Sequence, residues 1–297
     1  MNSVTFASML TPGTDLQTVV LVRSIRAFGG EFSHNPIWIF CPGPISRAAQ
    51  EELLWLDVRL IPIQIAPAAR SFPLATKVFT AATAEQMALD ETDLLIWMDS
   101  DTLVINPPHE LLLPDHTVLG CCPVHLKLIN SPYDAPPDPF WTLIYQQCRA
   151  VADHIFPVMT VIDRQRIRAT FNAGLLVVRP ERRLLQFWRE NFLRLYNDPA
   201  FQEFYRQNSL YQIFMHQAVL SGTIFAHLDR EEIHQFSPLV NYPLHLHADH
   251  PNPPDDINGL VTCRYDIFFQ TLRWQERLPA TGDLLDWITE QFRETVH

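Results

Sequence analysis

The stretch with the clearest chemical potential is LLIWMDSDTLVINP, residues 94–107, where five apolar residues run straight into Asp99-Ser100-Asp101. Such a run predicts a strand covered on both faces. Ligands of open α/β sheets gather just past the carboxyl ends of strands, so both carboxylates are expected where a ligand would sit. Two acids in one turn repel unless a cation lies between them. Hard carboxylate oxygens favour Mg²⁺ or Mn²⁺, and an ion held by one or two carboxylates keeps positions open for phosphate oxygens. The pair is therefore expected to hold a divalent ion carrying a nucleoside diphosphate. A plain polar turn is the alternative; the apolar residues on both sides of the pair argue against it.

The elements that must position this pair follow from short apolar runs alternating with amphipathic stretches, the pattern of a mainly parallel sheet flanked by helices. Strands are expected over Ser3–Ser8, Pro36–Cys41, Val58–Ile63, Leu94–Met98 and Phe171–Val178. Helices are expected over Leu16–Phe28, from an N-cap at Ser46, and over Ala75–Leu89, Glu181–Tyr196, Ser209–Leu220 and Asp283–Glu294. Two proline-rich stretches, residues 130–139 and 251–256, read as surface loops. One domain is expected, with a nucleotide-binding half (1–125) and an acceptor half (126–297). The aromatic residues Phe187, Trp188, Phe192, Tyr196, Phe201, Phe204, Tyr205 and Tyr211 fall at helical spacings that suit core packing.

Composition narrows the field. The 297 residues are 47% hydrophobic and 19% charged, so a packed core is expected and disorder is excluded. The net charge of −11, with Lys77 and Lys127 the only lysines, argues against nucleic acid and anionic membrane as partners. No apolar run approaches the ~18–20 residues of a membrane span, and the first ten residues lack an export pattern. Five cysteines without a CxxC pair suggest reduced, buried thiols and a cytoplasmic protein. A homo-oligomer is possible on the aromatic content of the second half.

Three segments together resemble glycosyltransferases of the GT-A fold, most closely the family 8, glycogenin-like enzymes. They are Lys77 with the strand IWMDSDTLV, then FNAGLL at 171–176, then His216-Gln217-Ala218-Val219-Leu220. The resemblance implies metal-dependent transfer of a sugar from a UDP- or GDP-linked donor to a hydroxyl acceptor, with configuration retained. It implies that Asp99 and Asp101, with Ser100 between them, hold an Mn²⁺ or Mg²⁺ ion on the diphosphate. Ser8 and Thr11 would lie near base and ribose, Lys77 near a phosphate, Ala173 and Gly174 against the donor. Asn172, Gln217 and His216 would line the reaction centre. A leaving diphosphate gathers negative charge, which a divalent ion and a lysine would stabilise where it develops.

The family pattern is departed from in two places. Its Asp-Gln pair is His216-Gln217 here, and the histidine-bearing segment that completes the ion site near the end is missing. In LHLHADH (244–250), His245 and His247 would share one face of a strand and reach one ion. In LVTCRY (260–265), Cys263 falls nearer the expected place, although a thiolate suits a softer ion. These departures leave a non-catalytic binding module of the same fold as the alternative. A dehalogenase-type phosphatase would need a glycine between Asp101 and Thr102, and a sugar nucleotidyltransferase a basic first loop that Thr11-Pro12-Gly13-Thr14 lacks.

Overall fold

The structure, a computed structural model, describes residues 3–293; Glu294, the expected end of the last helix, lies outside them. The strands in chain order are β1 (Val4–Met9), β2 (Ile37–Cys41), β3 (Arg59–Pro62), β4 (Leu94–Met98), β5 (Thr102–Val104) and β6 (Leu119–Pro123). They continue with β7 (Pro157–Met159), β8 (Arg166–Arg168), β9 (Phe171–Val178), β10 (Ile233–Gln235), β11 (Tyr242–Pro243) and β12 (Thr262–Arg264). Seven form the central sheet in the order β10-β6-β9-β4-β1-β2-β3. All neighbours run parallel except at β9, which is antiparallel to both β4 and β6. The mainly parallel α/β sheet flanked by helices is thus present.

Strand periodicity divides the core into two layers. In β4, Leu95 and Trp97 join one apolar cluster while Leu94, Ile96 and Met98 join the other. Helices Asp15–Phe28 and Arg47–Trp55 cover the second face. Helices Ala75–Ala88, Pro139–Cys148, Leu184–Leu195 and Met215–His227 cover the first. Trp188, Phe192 and Phe201 are fully buried there, in keeping with core packing of the aromatic stretch. A third cluster beneath the C-terminal helix Gly282–Gln291 includes Tyr265, Phe269 and Trp274. No helix among the described residues is long and apolar enough to cross a membrane.

Each expected strand of the central sheet is present within about two residues, and Ser46 does cap its helix, accepting from the Ala49 amide at 3.2 Å. Other expectations need correction. Pro180–Arg182 is a 3₁₀ turn, so the helix expected from Glu181 starts at Leu184. The helix expected over Ser209–Leu220 breaks at Phe214 into Ser209–Ile213 and Met215–His227. Leu244–Asp249 is 3₁₀ helical and not a strand: the chain leaves the extended conformation directly after Pro243, the last residue of β11.

One buried carboxylate ties two helices of the first face together. Glu85, fully buried on Ala75–Ala88, accepts from the amides of Leu185 (3.0 Å) and Gln186 (2.8 Å). These are the opening amides of Leu184–Leu195, whose own cap residue, Arg183, offers no side-chain bond. Glu85→Ala should cost about 2–6 kcal/mol in urea unfolding, from two orphaned amides at ~1–3 kcal/mol each. Burial raises the Glu85 carboxyl from 4.5 to about 7. Its raised pKa means that its share of stability is full below about pH 4.5 and is lost as pH rises through 7. Glu85→Gln should flatten that slope.

Candidate active site

The turn Asp99-Ser100-Asp101 leaves the carboxyl end of β4 and is held by backbone bonds on three sides. The Asp99 amide donates to the Gly174 carbonyl at 2.7 Å, and the Thr102 amide to the Asp99 carbonyl at 3.2 Å. The Tyr265 amide donates to the Asp101 carbonyl at 2.9 Å. Both carboxylates are largely buried, with side chains 9% and 17% exposed, so their charge must be answered within the protein.

Two cations answer it. Lys77, in the first turn of Ala75–Ala88 and itself buried, places Nζ 2.6 Å from Asp99 Oδ2. Arg264, from β12, donates through Nε to Asp101 Oδ2 at 3.0 Å and brings Nη2 to 3.8 Å from Asp99 Oδ2. Burial works against the guanidinium charge, but the carboxylates of Asp101 and Asp99 more than reverse it, so the pKa of Arg264 is raised. Burial also raises the pKa of Asp101, against the pull of Arg264. The result is a compact cluster of two negative and two positive groups.

Gly174 makes room for this cluster. A Cβ there would lie 2.8 Å from Asn172 Oδ1, 2.9 Å from Asp99 Oδ2 and 3.3 Å from Arg264 Nη1. The strand is irregular at the same place. Phe171 and Ala173 face the cluster that Leu176 and Val178 also face, so the alternation of β9 slips by one around Gly174. Pairing with β6 shifts there too, between Cys121↔Leu176 and Pro123↔Phe171. Such bulges re-aim side chains at strand ends. Asn172 uses its Oδ1 to accept from the Gly174 amide at 2.8 Å, which fixes its side chain at the rim of a cavity.

That cavity has a volume of about 420 Å³, within the usual range for ligand sites. Asn172, Gln217, Arg264, His245, His125 and Asp266 are among its walls. A larger cavity of about 670 Å³ lies between helices Asp15–Phe28 and Arg47–Trp55 and the C-terminal helix. Its Arg23 and Glu52 pair with each other at 2.9 Å, and it lies away from the carboxylate pair. Of the two, the smaller cavity shares a residue, Arg264, with the charged cluster.

The remaining expected residues divide between this site and its surroundings. Gln217 lines the cavity, but His216 is buried behind it, with Nδ1 3.0 Å from the Ile213 carbonyl. Burial, followed by the charge of Lys77, holds the pKa of His216 far below the usual imidazole range, so it is neutral. Ala173 points into the apolar core and can offer a ligand only backbone. Ser8 is buried near the carboxyl end of β1, beside β4, and its Oγ has no partner among the described residues. Thr11 closes a turn with Thr14, and Ser100 is half-buried in the acidic turn.

The residues present do not fit the expected three-ligand ion site. His247 bonds through Nδ1 to the Tyr242 hydroxyl at 2.8 Å, while His245 Nδ1 lies 3.4 Å from the Arg264 carbonyl. The 3₁₀ turn, unlike a strand, does not present the two imidazoles on one face. Cys263 is wholly buried in the C-terminal cluster, and burial raises its thiol pKa. Among the described residues, no three His, Cys, Asp or Glu side chains are placed to hold an ion. Asp99 Oδ1 is buried with no partner among the described residues, an acceptor for an incoming group, but its twin Oδ2 already faces both cations.

Sequence reasoning missed Arg264 and His125. The signal for Arg264 was the alternation of LVTCRY: if Cys263 faces the core, its neighbour faces the other way, toward the acidic turn. His125, whose pKa burial lowers to about 3, had no spacing signal, since it follows β6 at the sheet edge.

The comparisons with known proteins bear on the fold and the family. No curated protein matches the chain. Among solved structures, it resembles the glycosyltransferase GlyE of Streptococcus pneumoniae TIGR4, with a TM-score of 0.54 at 12% identity over 97% of this chain and 59% of that one. The galactosyltransferase LgtC, solved in complex with donor and acceptor sugar analogues, aligns with a TM-score of 0.51 at 18% identity, covering 98% and 94% of the two chains. The bifunctional glycosyltransferase WbbM aligns with a TM-score of 0.56 at 11% identity, covering 99% of this chain and 50% of that one. The chain thus spans little more than half of GlyE and half of WbbM, and these likenesses concern the GT-A-like fold. The model of the Rhodobacterales glycosyltransferase domain matches residues 11–224, and the chain belongs to that glycosyltransferase family.

Proposed function

We propose that this glycosyltransferase moves a sugar from a UDP- or GDP-linked donor to a hydroxyl acceptor, in the cavity beside Asp99 and Asp101. The observation that carries the reading is that Lys77 and Arg264 meet the carboxylates of that turn at the carboxyl end of β4, while Arg264 also lines the cavity together with Asn172 and Gln217. The donor's diphosphate lies against the cations, with base and ribose toward Ser8 and Thr11. The sugar enters the cavity, where Asn172 and Gln217 orient its hydroxyls. In the transfer, the bond between the anomeric carbon and the phosphate oxygen breaks, and its electron pair leaves with the diphosphate. The acceptor oxygen bonds to that carbon and gives up its proton to the departing diphosphate or to water. Cationic groups fixed beside the leaving oxygens stabilise the charge that develops there.

Retention of configuration, as in family 8, belongs to the same proposal, and so do the nucleotide half at 1–125, the acceptor half at 126–297 and a cytoplasmic location. The Mn²⁺ or Mg²⁺ that the resemblance implies is left to the response to chelators, because the residues around the pair do not assemble an ion site.

Incubation with a panel of UDP- and GDP-sugars should release nucleoside diphosphate. Gln217→Ala and Asn172→Ala should each slow that release by about ten- to a hundredfold, the scale of a lost transition-state contact at ~1.4–2.7 kcal/mol. Gly174→Ala should destabilise the fold by about 1–3 kcal/mol, as overpacking does, and slow turnover by prising Asp99 from Arg264. A wild-type chain that neither binds nor cleaves any nucleotide-sugar would return the protein to the binding-module alternative.

A further inference from the structure

We infer that the guanidinium of Arg264 stands in place of the divalent cation, so that this enzyme grips the diphosphate of its donor without a metal ion. The inference rests on the proposed nucleotide-sugar reaction and names how its substrate is held. Two carboxylates in one turn require positive charge between them, and Arg264 supplies it: Nε is 3.0 Å from Asp101 Oδ2 and Nη2 is 3.8 Å from Asp99 Oδ2.

Its position is built into the backbone. β12 pairs antiparallel with β5, setting Arg264 opposite Thr102, the residue that follows the acidic turn. The amide of the next residue, Tyr265, closes the register on the Asp101 carbonyl at 2.9 Å. Any side chain at position 264 that points away from the buried Cys263 must therefore arrive beside the pair. An arginine there offers a planar fork of donors that matches phosphate oxygens two at a time. The hydrogen bond to Asp101 occupies Nε–H, and the side chain, 22% exposed, lines the cavity, so that the Nη end is available to a ligand.

Lys77 completes the arrangement. With Nζ 2.6 Å from Asp99 Oδ2, it joins Arg264 on one carboxylate, and a divalent ion entering between the acids would meet two fixed positive charges. The cluster is already balanced in charge, unlike an acidic pair that waits for an ion. Gly174 supports the same reading, since a Cβ there would press on both Asp99 Oδ2 and Arg264 Nη1.

The test is titration calorimetry of the full chain with UDP and with GDP, first in EDTA and then with millimolar Mn²⁺. One of the two nucleotides should bind in EDTA, with its Kd changing less than twofold when Mn²⁺ replaces the chelator. Arg264→Ala should weaken that binding at least tenfold in EDTA, and Mn²⁺ should recover part of the loss by occupying the vacated place between the carboxylates. Arg264→Lys, which keeps the charge but loses the fork, should fall between the two. Wild-type binding that is absent in EDTA and appears with Mn²⁺ overturns the inference while leaving the glycosyltransferase reading intact. Binding of neither nucleotide under either condition overturns both. The wild-type measurements decide the matter even if a variant fails to fold.

Discussion

Two carboxylates, two residues apart in the chain and mostly removed from water, cannot stay ionised without nearby positive charge, and the protein's architecture around β4 is organised to provide it. An uncompensated buried charge costs several kcal/mol, a large share of a domain's net stability. Lys77 arrives from a helix on one face of the sheet and Arg264 from a strand on the other side of the acidic turn. Each cation is long and would be floppy in water. Here both are held by packed secondary structure, so the cost of ordering them is met by folding and is not charged to ligand binding.

The same demand explains features that otherwise look unrelated. The bulge in β9 releases the backbone from its alternation where Asn172 must turn toward the cavity. Glycine at 174 leaves the few ångströms that the Asp99–Arg264 contact occupies. The small β5–β11–β12 sheet, a satellite of the main one, serves to bring a late segment of the chain against the turn that ends β4. Stability and the proposed donor binding are therefore linked at this point, because Arg264, which helps to neutralise the acids, also lines the cavity.

Local pattern and long-range placement had different legibility. LLIWM announced a doubly covered strand because β4 is packed on both faces, and its period of two sorted its side chains into the two layers found. The acidic turn was visible for the same reason: an abrupt change from apolar to charged residues marks where a strand leaves the core. LHLHADH was misread because alternation over so short a stretch also suits a 3₁₀ turn, and nothing local tells the two apart. In LVTCRY the thiol is the familiar ligand type, yet alternation turns it into the core and the arginine to the opposite face.

Sequence alone determined the class of the sheet, the strand that carries the acids, the helix bearing Lys77 and the glycine two residues after Asn172, since each is written in patterns of fewer than about 15 residues. Only the tertiary structure decided what stands between the carboxylates. Arg264 lies 163 positions beyond Asp101, and its approach depends on a strand register that no local spacing encodes. Charge balance in a buried site is a property of the assembled whole, and the choice between an ion and a guanidinium is made by which side chain the fold delivers there.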